Sequence, residues 1–516
     1  MRCNSILDPH VAVARSNEAR YPSEPPFHPD SAYPEYLFPQ FTSSGANYAY
    51  SAVRNAFKLL KLDAPNYGTG SWNPLGDLIR PGDRVLIKPN YVIHTHFSDL
   101  TYDCVVTHSS VLRAVVDYAL KAAGREGKVT VADAPLKEAE FDEIVRRCRL
   151  DDLLTFYREQ GYDVGLVDMR YMKVVQRDGF IVGRCYDADQ KLSSRVVNVG
   201  KASAFHDIEH TMHRVAGADY ERRTTRQHHT GGRHEYRVSQ HILDADVVLC
   251  LAKLKTHKKT GVTLSMKNLV GINVDKNFLP HYRIGMPCQG GDEFPDRPGL
   301  SQKVRQWLIR GGIDIVLARA ERVAVPLLRR ILTWLPKSQS DAHYAKNYHS
   351  RAHPGYVQKT IERFYSFALG SNIRDGNWFG NDTAWRMVVD LNTILLYSDS
   401  QGRLADRPVR RYFSIIDGIV GGMAEGPMNP LPIQSGVILA GYNPLSVDWC
   451  ATELMGFDPE RLKVVSGARK RPLPLGPDDP VAVLMTDDPL WTGGLTPANS
   501  LRFQSHSCWP DIEARR

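Results

Sequence analysis

The chain has 516 residues, of which 42% are hydrophobic and 24% charged, and these values are ordinary for a folded globular protein. Lys and Arg (65) exceed Asp and Glu (57) by only 8, which is too small an excess at this length for a protein that coats nucleic acid. General disorder and a nucleic-acid-coating role are therefore excluded, and the length allows two or three domains or one large domain with insertions.

Cysteines and apolar runs indicate the cellular setting. The eight cysteines are dispersed without a CxxC pair, so no local zinc ribbon or iron–sulfur cluster motif is encoded. Residues 1–30 contain no apolar stretch of the kind found in secretory signals. The most apolar run, residues 313–336, is interrupted by arginines and a glutamate, so we predict a packed helix rather than a transmembrane one. Peripheral membrane contact through this run is the less favoured alternative, and we expect a cytoplasmic protein.

The elements begin after an N-terminal arm. Residues 1–45 are rich in Pro, Ser and Tyr, and we expect them to be irregular or poorly ordered. Alternating patterns of strand and helix then predict a first part of an α/β core over residues 46–275. Strand-like runs fall within residues 80–90, 128–135, 162–169 and 245–253, and a helical pattern covers 109–124. The run at 245–253 is continuously apolar, which is typical of a buried parallel strand.

The strand pattern stops and later resumes. Residues 276–409 are mainly helical in pattern and Arg-rich, which predicts a helical insertion. Residues 410–516 resume the strand pattern and contain a helical segment that begins near Pro444. The sequence therefore predicts an α/β fold with a mostly parallel sheet, flanked by helices and interrupted by a helical insertion.

Polar residues follow or close several of the strand-like runs. In α/β sheets, ligands bind just outside the carboxyl ends of the strands, so we predict that these groups converge at one rim. The alternative for each residue is that it merely begins a loop. The candidate ligand-binding residues are Lys88, Asn90, His108, Lys253 and Lys255. Asp133 and Asp417 are candidate catalytic residues that would orient a hydroxyl or a metal.

The most basic stretch is "LAKLKTHKKTGVTLSMKNLVG", residues 251–271. Lysines at the end of a buried strand, followed by glycine, small hydroxyls and a helix start near Val262, predict a cradle for an anion. His257 and Lys267 are the candidate catalytic residues here, and Gly261, Thr263 and Asn268 are candidate ligand-binding residues. The alternative is a solvated basic turn.

Three further segments are weaker candidates. In "DGIVGGMAEGP" (417–427), Gly421 and Gly422 permit close approach of a ligand, and Glu425 joins Asp417 as a carboxylate for a hydroxyl or a metal. In "GNWFGNDTAWRMVVDLN" (376–392), the side chains of Trp378, Asp382 and Arg386 suit a sugar, although a helix capped at residue 381 or 382 is an equal alternative. The histidines at 228, 229 and 234 form a metal site only as a minor alternative to a solvated loop.

Six segments together resemble the domain of unknown function 362 family (DUF362). They are "VLIKPN", "VVTHSSVLRAVVDYAL", "VTVADAP", "KLKTHKKTGVTLSMKNLVG", "DGIVGGMAEGP" and "GVILAGYNPLSVDWCATELMG". The resemblance covers most of residues 80–275 and 410–460. Some relatives carry a ferredoxin-like module with clustered cysteines, which this sequence lacks, so the resemblance implies no iron–sulfur cluster here.

A second, weaker resemblance is to the nickel-pincer lactate racemase family. His257, Gly261, Thr263 and Lys267 stand in the order and at the approximate spacing of that family's histidine, glycine, hydroxyl and cofactor-tethering lysine. This resemblance implies that His257 transfers a proton and that Lys267 binds an anion or forms a covalent bond. The other nickel-binding histidines have no evident counterpart.

These observations favour a cytoplasmic enzyme that acts on an anionic small molecule, namely a phosphorylated, carboxylated or sugar derivative. His257 would act as acid or base because imidazole titrates near neutral pH, in chemistry of the isomerase, epimerase or transferase type. The alternative is a non-catalytic binding or cofactor-carrier protein. Nucleic-acid binding is disfavoured because no aromatic residues are interleaved with the lysines. The sequence leaves open whether a divalent metal or a nucleotide-type cofactor binds.

Overall fold

The structure, a computed structural model, describes residues 6–177, 180–217, 222–296, 373 and 375–513. The strands of the described residues are β1 (His10–Arg15), β2 (Arg84–Pro89), β3 (Lys128–Asp133), β4 (Val164–Asp168), β5 (Met172–Arg177), β6 (Phe180–Tyr186), β7 (Ser194–Asn198), β8 (Val215–Gly217), β9 (Glu235–Ser239), β10 (Val247–His257), β11 (Gly261–Val262), β12 (Pro280–Arg283), β13 (Arg411–Met423), β14 (Leu431–Ile433), β15 (Val437–Gly441) and β16 (Val483–Met485).

The α-helices follow the same chain order. They are α1 (Tyr48–Leu59), α2 (Ser109–Ala123), α3 (Phe141–Arg147), α4 (Leu150–Glu159), α5 (Ala188–Leu192), α6 (Arg222–His228), α7 (Gln240–Asp244), α8 (Leu264–Asn268), α9 (Ala384–Tyr397), α10 (Pro444–Met455) and α11 (Lys463–Ser466). The predicted helix near Pro444 is α10, and Asn443 accepts a hydrogen bond from the backbone N–H of Ser446 at its start.

A central sheet organises the molecule, with the strand order β16-β1-β15-β13-β10-β2-β3-β4. Five adjacent strands run parallel to one another, in the order β13, β10, β2, β3 and β4. β15 runs antiparallel to both β13 and β1. β11 and β14 pair with β10 and β13 at the ends of these long strands. The prediction of a mostly parallel α/β sheet is therefore confirmed.

Helices cover both faces of this sheet because β10, at its centre, alternates apolar side chains between two layers. Leu249 and Leu251 pack in the layer that contains α1 and α2, whereas Cys250 and Ala252 pack in the layer that contains α9 and α10. Every residue of β10 is buried. Lys253 and Lys255, near the carboxyl end of β10, are therefore buried.

The N-terminal segment differs from its prediction as an irregular arm. β1 lies inside the central sheet between β15 and β16, and its residues from Val11 to Ala14 are fully buried. The sequence "HVAVAR" is short, and its partner β15 lies more than 400 residues further along the chain. A lone strand of six residues surrounded by polar sequence gives little local signal, which is why the composition suggested an arm.

The predicted helical insertion at 276–409 lies mainly outside the described residues, as does all of 313–336. Its described ends contain β12 and α9. β12 pairs with β8 in a separate two-stranded sheet, and α9 is buried along its whole length. β5 with β6 and β7 with β9 form two more antiparallel pairs.

Candidate functional site

A buried ion pair joins the carboxyl ends of β2 and β3. Lys88 Nζ lies 2.7 Å from Asp133 Oδ1, and both side chains are almost fully buried. Asn268 Oδ1 accepts hydrogen bonds from Lys88 Nζ at 3.1 Å and from Asn90 Nδ2 at 3.2 Å. Gly271 packs so closely on the pair that a Cβ there would lie 2.2 Å from Asp133 Oδ1. The structure therefore brings four of the predicted site residues together.

A second group, here called the Tyr21 network, consists of Tyr21, His108, Lys253 and Asp417. Lys253 Nζ lies 3.0 Å from Asp417 Oδ2, and both side chains are fully buried. The Tyr21 hydroxyl accepts from Lys253 Nζ at 2.7 Å and donates to Asp417 Oδ1 at 2.6 Å. The backbone N–H of His108 donates to Asp417 Oδ2, and the His108 ring stacks on Tyr21 with centroids 4.0 Å apart. The charges of this network thus compensate one another.

Three lysines, here called the lysine cluster, lie beside these groups: Lys255 and Lys276, which are buried, and Lys267, which is half-buried. Lys255 Nζ donates to the carbonyl of Val105 at 2.5 Å, and Lys276 Nζ donates to the carbonyl of Ala134 at 2.8 Å. Lys267 Nζ has no hydrogen-bond partner among the residues that the structure describes. Within that part of the chain, none of the three ammonium groups forms an ion pair with a carboxylate.

The surroundings of the lysine cluster disfavour its positive charges. Burial lowers the pKa of Lys267 to about 7, with a further contribution from the charges of Lys276, Lys259 and Lys88. Burial also lowers the pKa of Lys276 to about 8. The pKa of Lys255 falls well below its ordinary value because of burial and the charges of Lys253 and Lys267. Since a buried charge is costly without a partner, an anion would relieve all three.

His257, at the end of β10, is predicted to act as an acid or base near neutral pH. Its Nδ1 accepts a hydrogen bond from the backbone N–H of Lys259 at 3.0 Å, so the neutral ring carries its proton on Nε2. Burial and the charge of Lys267 hold the pKa of His257 well below 6.5. The ring is therefore neutral at pH 7 in the absence of an anion, and it presents a hydrogen-bond donor.

A second imidazole, His281 in β12, belongs to the same electrostatic environment. Its Nδ1–H donates to the carbonyl of Leu279 at 2.9 Å. Burial and the charges of Lys259 and Lys267 lower its pKa well below 6.5. The sequence "LPHYR" around it follows no strong pattern, so reasoning from sequence missed this residue.

The helix that follows the basic stretch begins later than predicted and already holds an anion of the protein. α8 starts at Leu264 rather than near Val262, and Leu264 has a φ of 49°. The backbone N–H groups of Ser265 and Met266 donate to the two carboxylate oxygens of Asp448 at 2.7 and 2.8 Å. This helix start does not hold a ligand anion, contrary to the prediction, because the carboxylate of Asp448 occupies the position.

The chain matches the model of one protein family over most of its length. The model of the domain of unknown function 362 (DUF362) matches residues 85–190 and 173–453, which together make up more than half of the chain. The chain belongs to the DUF362 family. No curated protein matches it, and no solved structure matches it. The matched residues include Lys88, Asp133, the lysine cluster and both imidazoles.

The glycines of this DUF362 chain that were predicted to admit a ligand are packed against protein atoms. Gly261 has a φ of 80°, and a Cβ there would lie 2.3 Å from Leu462. At Gly421 a Cβ would lie 2.6 Å from the ring of Phe503, and at Gly422 2.7 Å from the carbonyl of Cys104. Close packing therefore explains why each of these positions is a glycine, without a ligand.

Glu425 and the aromatic segment also make internal contacts. Glu425 Oε2 lies 3.1 Å from His506 Nε2 near the surface. Asp382 lies 3.2 Å from Arg386 and 2.9 Å from Lys463, and Trp378 Nε1 donates to the carbonyl of Asp292 at 2.9 Å. Asn381 Oδ1 accepts from the N–H of Ala384 at the start of α9. These contacts match the capped-helix alternative.

The histidine-rich loop of the DUF362 chain pairs its rings with neighbours. His228 lies 2.6 Å from Glu235, and His229 Nε2 lies 2.8 Å from the carbonyl of Phe278. Across the described ranges, no group of three or more His, Cys, Asp or Glu side chains could hold a metal ion. The helices in those ranges also include none with the length and apolar character needed to cross a membrane.

Proposed function

We propose that this DUF362 protein binds an anionic small molecule at the lysine cluster and catalyses acid–base chemistry on it. The observation that carries the proposal is the uncompensated charge of Lys255, Lys267 and Lys276. Burying one ammonium without a carboxylate is unfavourable, and two buried ammonium groups with a half-buried third are more so. A phosphorylated or carboxylated ligand would supply the missing negative charge.

Two orphaned polar atoms support a polar ligand at the same place. Thr263 Oγ1 and Asn90 Oδ1 are buried and have no hydrogen-bond partner in the described structure. Thr263 precedes α8, which carries Lys267, and Asn90 contacts the Lys88–Asp133 pair through Asn268. Buried polar groups normally form hydrogen bonds, so a hydroxyl or amide of a ligand would supply the hydrogen bonds that these two atoms lack.

The proposed chemistry uses groups that can hold or move a proton at neutral pH. His257 would donate a hydrogen bond from Nε2–H to the ligand, and Lys267, with a pKa of about 7, would be present both as amine and as ammonium. Lys255 and Lys276 would hold the charge of the ligand. Isomerase, epimerase and transferase reactions all fit this set of groups.

The alternative proposal is a carrier that uses the same lysines to bind an anion without altering it. The Tyr21 network favours neither function, because its charges are satisfied internally. Turnover separates the two proposals. An enzyme changes the composition of a metabolite mixture, whereas a carrier returns its bound compound unchanged.

The first test is calorimetric titration of the full chain with inorganic phosphate. We expect the Lys267→Met variant to bind phosphate at least tenfold more weakly than the parent, because charge-assisted hydrogen bonds to an anion are strong. Lys201→Met changes an exposed lysine outside the cluster and should bind like the parent. Equal binding by Lys267→Met and Lys201→Met would contradict the proposed site.

The second test uses mass spectrometry of compounds that co-purify with the protein and of a metabolite mixture incubated with it. We expect an anionic compound to co-purify, and the mixture to change only when His257 is present. His257→Phe should then still co-purify with the anion, which the lysines hold although more weakly, and should lose turnover, since general acid–base catalysis contributes about 10² to 10⁴ in rate. Binding without any turnover by the parent supports the carrier instead.

A further inference from the structure

The two imidazoles beside the lysine cluster are held in opposite tautomers. His257 Nδ1 accepts from the N–H of Lys259, so Nε2 of the neutral ring carries a proton. His281 Nδ1 faces the carbonyl of Leu279, which can only accept, so Nδ1 carries the proton and Nε2 has a free lone pair. Nε2 of His281 makes no hydrogen bond to any residue that the structure describes. One ring is thus a donor and the other an acceptor.

The backbone around His281 fixes this arrangement. Asn381 Nδ2 donates to the His281 carbonyl at 3.0 Å, and β12 is paired with β8. The ring therefore cannot turn over without losing its bond to Leu279. Lys259, whose N–H binds His257, places its Nζ 5.5 Å from the centroid of the Tyr282 ring, next to His281 in the chain. The two imidazoles therefore lie on either side of Lys259, and the charges of Lys259 and Lys267 lower the pKa of both.

We infer that His281 Nε2 accepts a hydrogen bond from an O–H group of the ligand, so the site selects an anion that carries a hydroxyl on or beside its charged group. This inference rests on the proposed anion site and specifies its ligand. The ammonium groups of the lysines and His257 Nε2–H can bind only acceptor atoms of an anion, whereas His281 requires a donor. A fully deprotonated anion would place its oxygen lone pairs against that of Nε2.

His281 does not escape this conflict by taking a second proton near neutral pH. The charged groups that act on it are Lys259, Lys267 and Lys276, and with burial they disfavour the imidazolium. The half-buried ring would then exchange a hydrogen bond from water for repulsion between its Nε2 lone pair and those of the anion. The ligand that satisfies every group is therefore an anion with one remaining proton, of which monohydrogen phosphate is the simplest example.

The test compares inorganic phosphate with sulfate, two tetrahedral anions of similar size, by calorimetric titration of the full chain at about pH 7.5. Monohydrogen phosphate donates one hydrogen bond and sulfate donates none. We expect the parent to bind phosphate at least about tenfold more tightly than sulfate. His281→Phe should weaken phosphate binding and leave sulfate binding unchanged, so that the two affinities become nearly equal. His281→Gln, whose amide oxygen also accepts, should restore part of the preference.

His257→Phe is the matched control, because it removes a donor that serves either anion. It should weaken phosphate and sulfate binding by similar factors. If the parent binds both anions equally, the inference about His281 is overturned while the anion site stands. If neither anion binds, both the site and the inference fail.

A spectroscopic measurement covers the case in which His281→Phe does not fold. The nitrogen-15 chemical shifts of His281 in the parent, without any anion, report which ring nitrogen is protonated. We expect Nδ1 to be protonated and Nε2 to be unprotonated. A protonated Nε2 overturns the inference whatever the variants do.

Discussion

Lys267→Met should stabilise the ligand-free protein, which is unusual for a substitution at a binding site. The side chain lies beside other lysines and has no partner in the described structure, and its pKa is lowered from 10.5 to about 7. An ionised lysine is therefore much less favourable in the folded than in the unfolded state. Methionine keeps most of the apolar stem without the charge.

The magnitude follows from the lowered pKa. A difference of one pKa unit corresponds to about 1.4 kcal/mol, so the change from 10.5 to about 7 makes the folded state less stable by up to roughly 4 kcal/mol at pH 7. Lys267 is only partly buried and solvent screens its charge, so we expect a gain of about 2 kcal/mol for the variant.

The difference in stability between Lys267→Met and the parent depends on pH. Between pH 7 and 10.5 the unfolded chain keeps a proton on Lys267 that the folded chain has lost. The parent therefore gains stability as the pH rises through this window. Lys267→Met lacks this gain, so its advantage over the parent should be largest at pH 7 or below and small by about pH 10.

Urea unfolding at pH 7 and at about pH 10 measures both quantities. Lys88→Met is the matched control, because it makes the same change in a lysine paired with Asp133 at 2.7 Å. Breaking that buried pair leaves a carboxylate uncompensated and should cost roughly 3 to 5 kcal/mol. If Lys267→Met destabilises the protein at pH 7, or if its effect is the same at both pH values, the reasoning about an uncompensated charge is refuted.

Two further predictions concern the anion and the Tyr21 network. Phosphate should bind more weakly as the pH rises above about 7, by up to roughly tenfold per pH unit. The reason is that the anion stabilises the ammonium of Lys267, so binding takes up a proton. Calorimetry in buffers of different ionisation enthalpy measures that proton, and a pH-independent affinity would contradict the role of Lys267. Lys253→Met should cost roughly 3 to 5 kcal/mol by leaving Asp417 buried and unpaired, whereas Tyr21→Phe should cost about 1 to 2 kcal/mol. Urea midpoints compare the stabilities of the two variants. Similar losses of stability would show that the unpaired buried charge is not the main cause of the loss.

The central sheet and the polar rim could be predicted from the sequence because both have local signals. A continuously apolar run such as β10 is recognisable as a buried strand, and the lysines after it stand out by composition. The carboxyl ends of parallel strands meet at one edge, so the proximity of Lys88 to Asp133 follows from the order of neighbouring strands.

The contacts that define the candidate site had no such signal. Asp448 reaches the start of α8 across 183 residues, and Tyr21 reaches Asp417 across 396. Neither pair leaves a periodic pattern, since each depends on how distant segments pack. The sequence around His281 does not show which nitrogen of its ring is free. Only the hydrogen bond of the ring to the Leu279 carbonyl determines this.

The sequence by itself determined the main strands and helices of the core other than β1, and the excess of lysines at the strand ends, because periodicity and composition are local properties. Only the tertiary structure decided which of those lysines are compensated. Lys88 and Lys253 pair with carboxylates, whereas Lys255 and Lys267 have none in the described structure. Lys276, which the sequence did not single out, joins them only in the folded chain. The reason is that a charge is neutralised by proximity in space, and the distances that decide it exist only after the chain has folded.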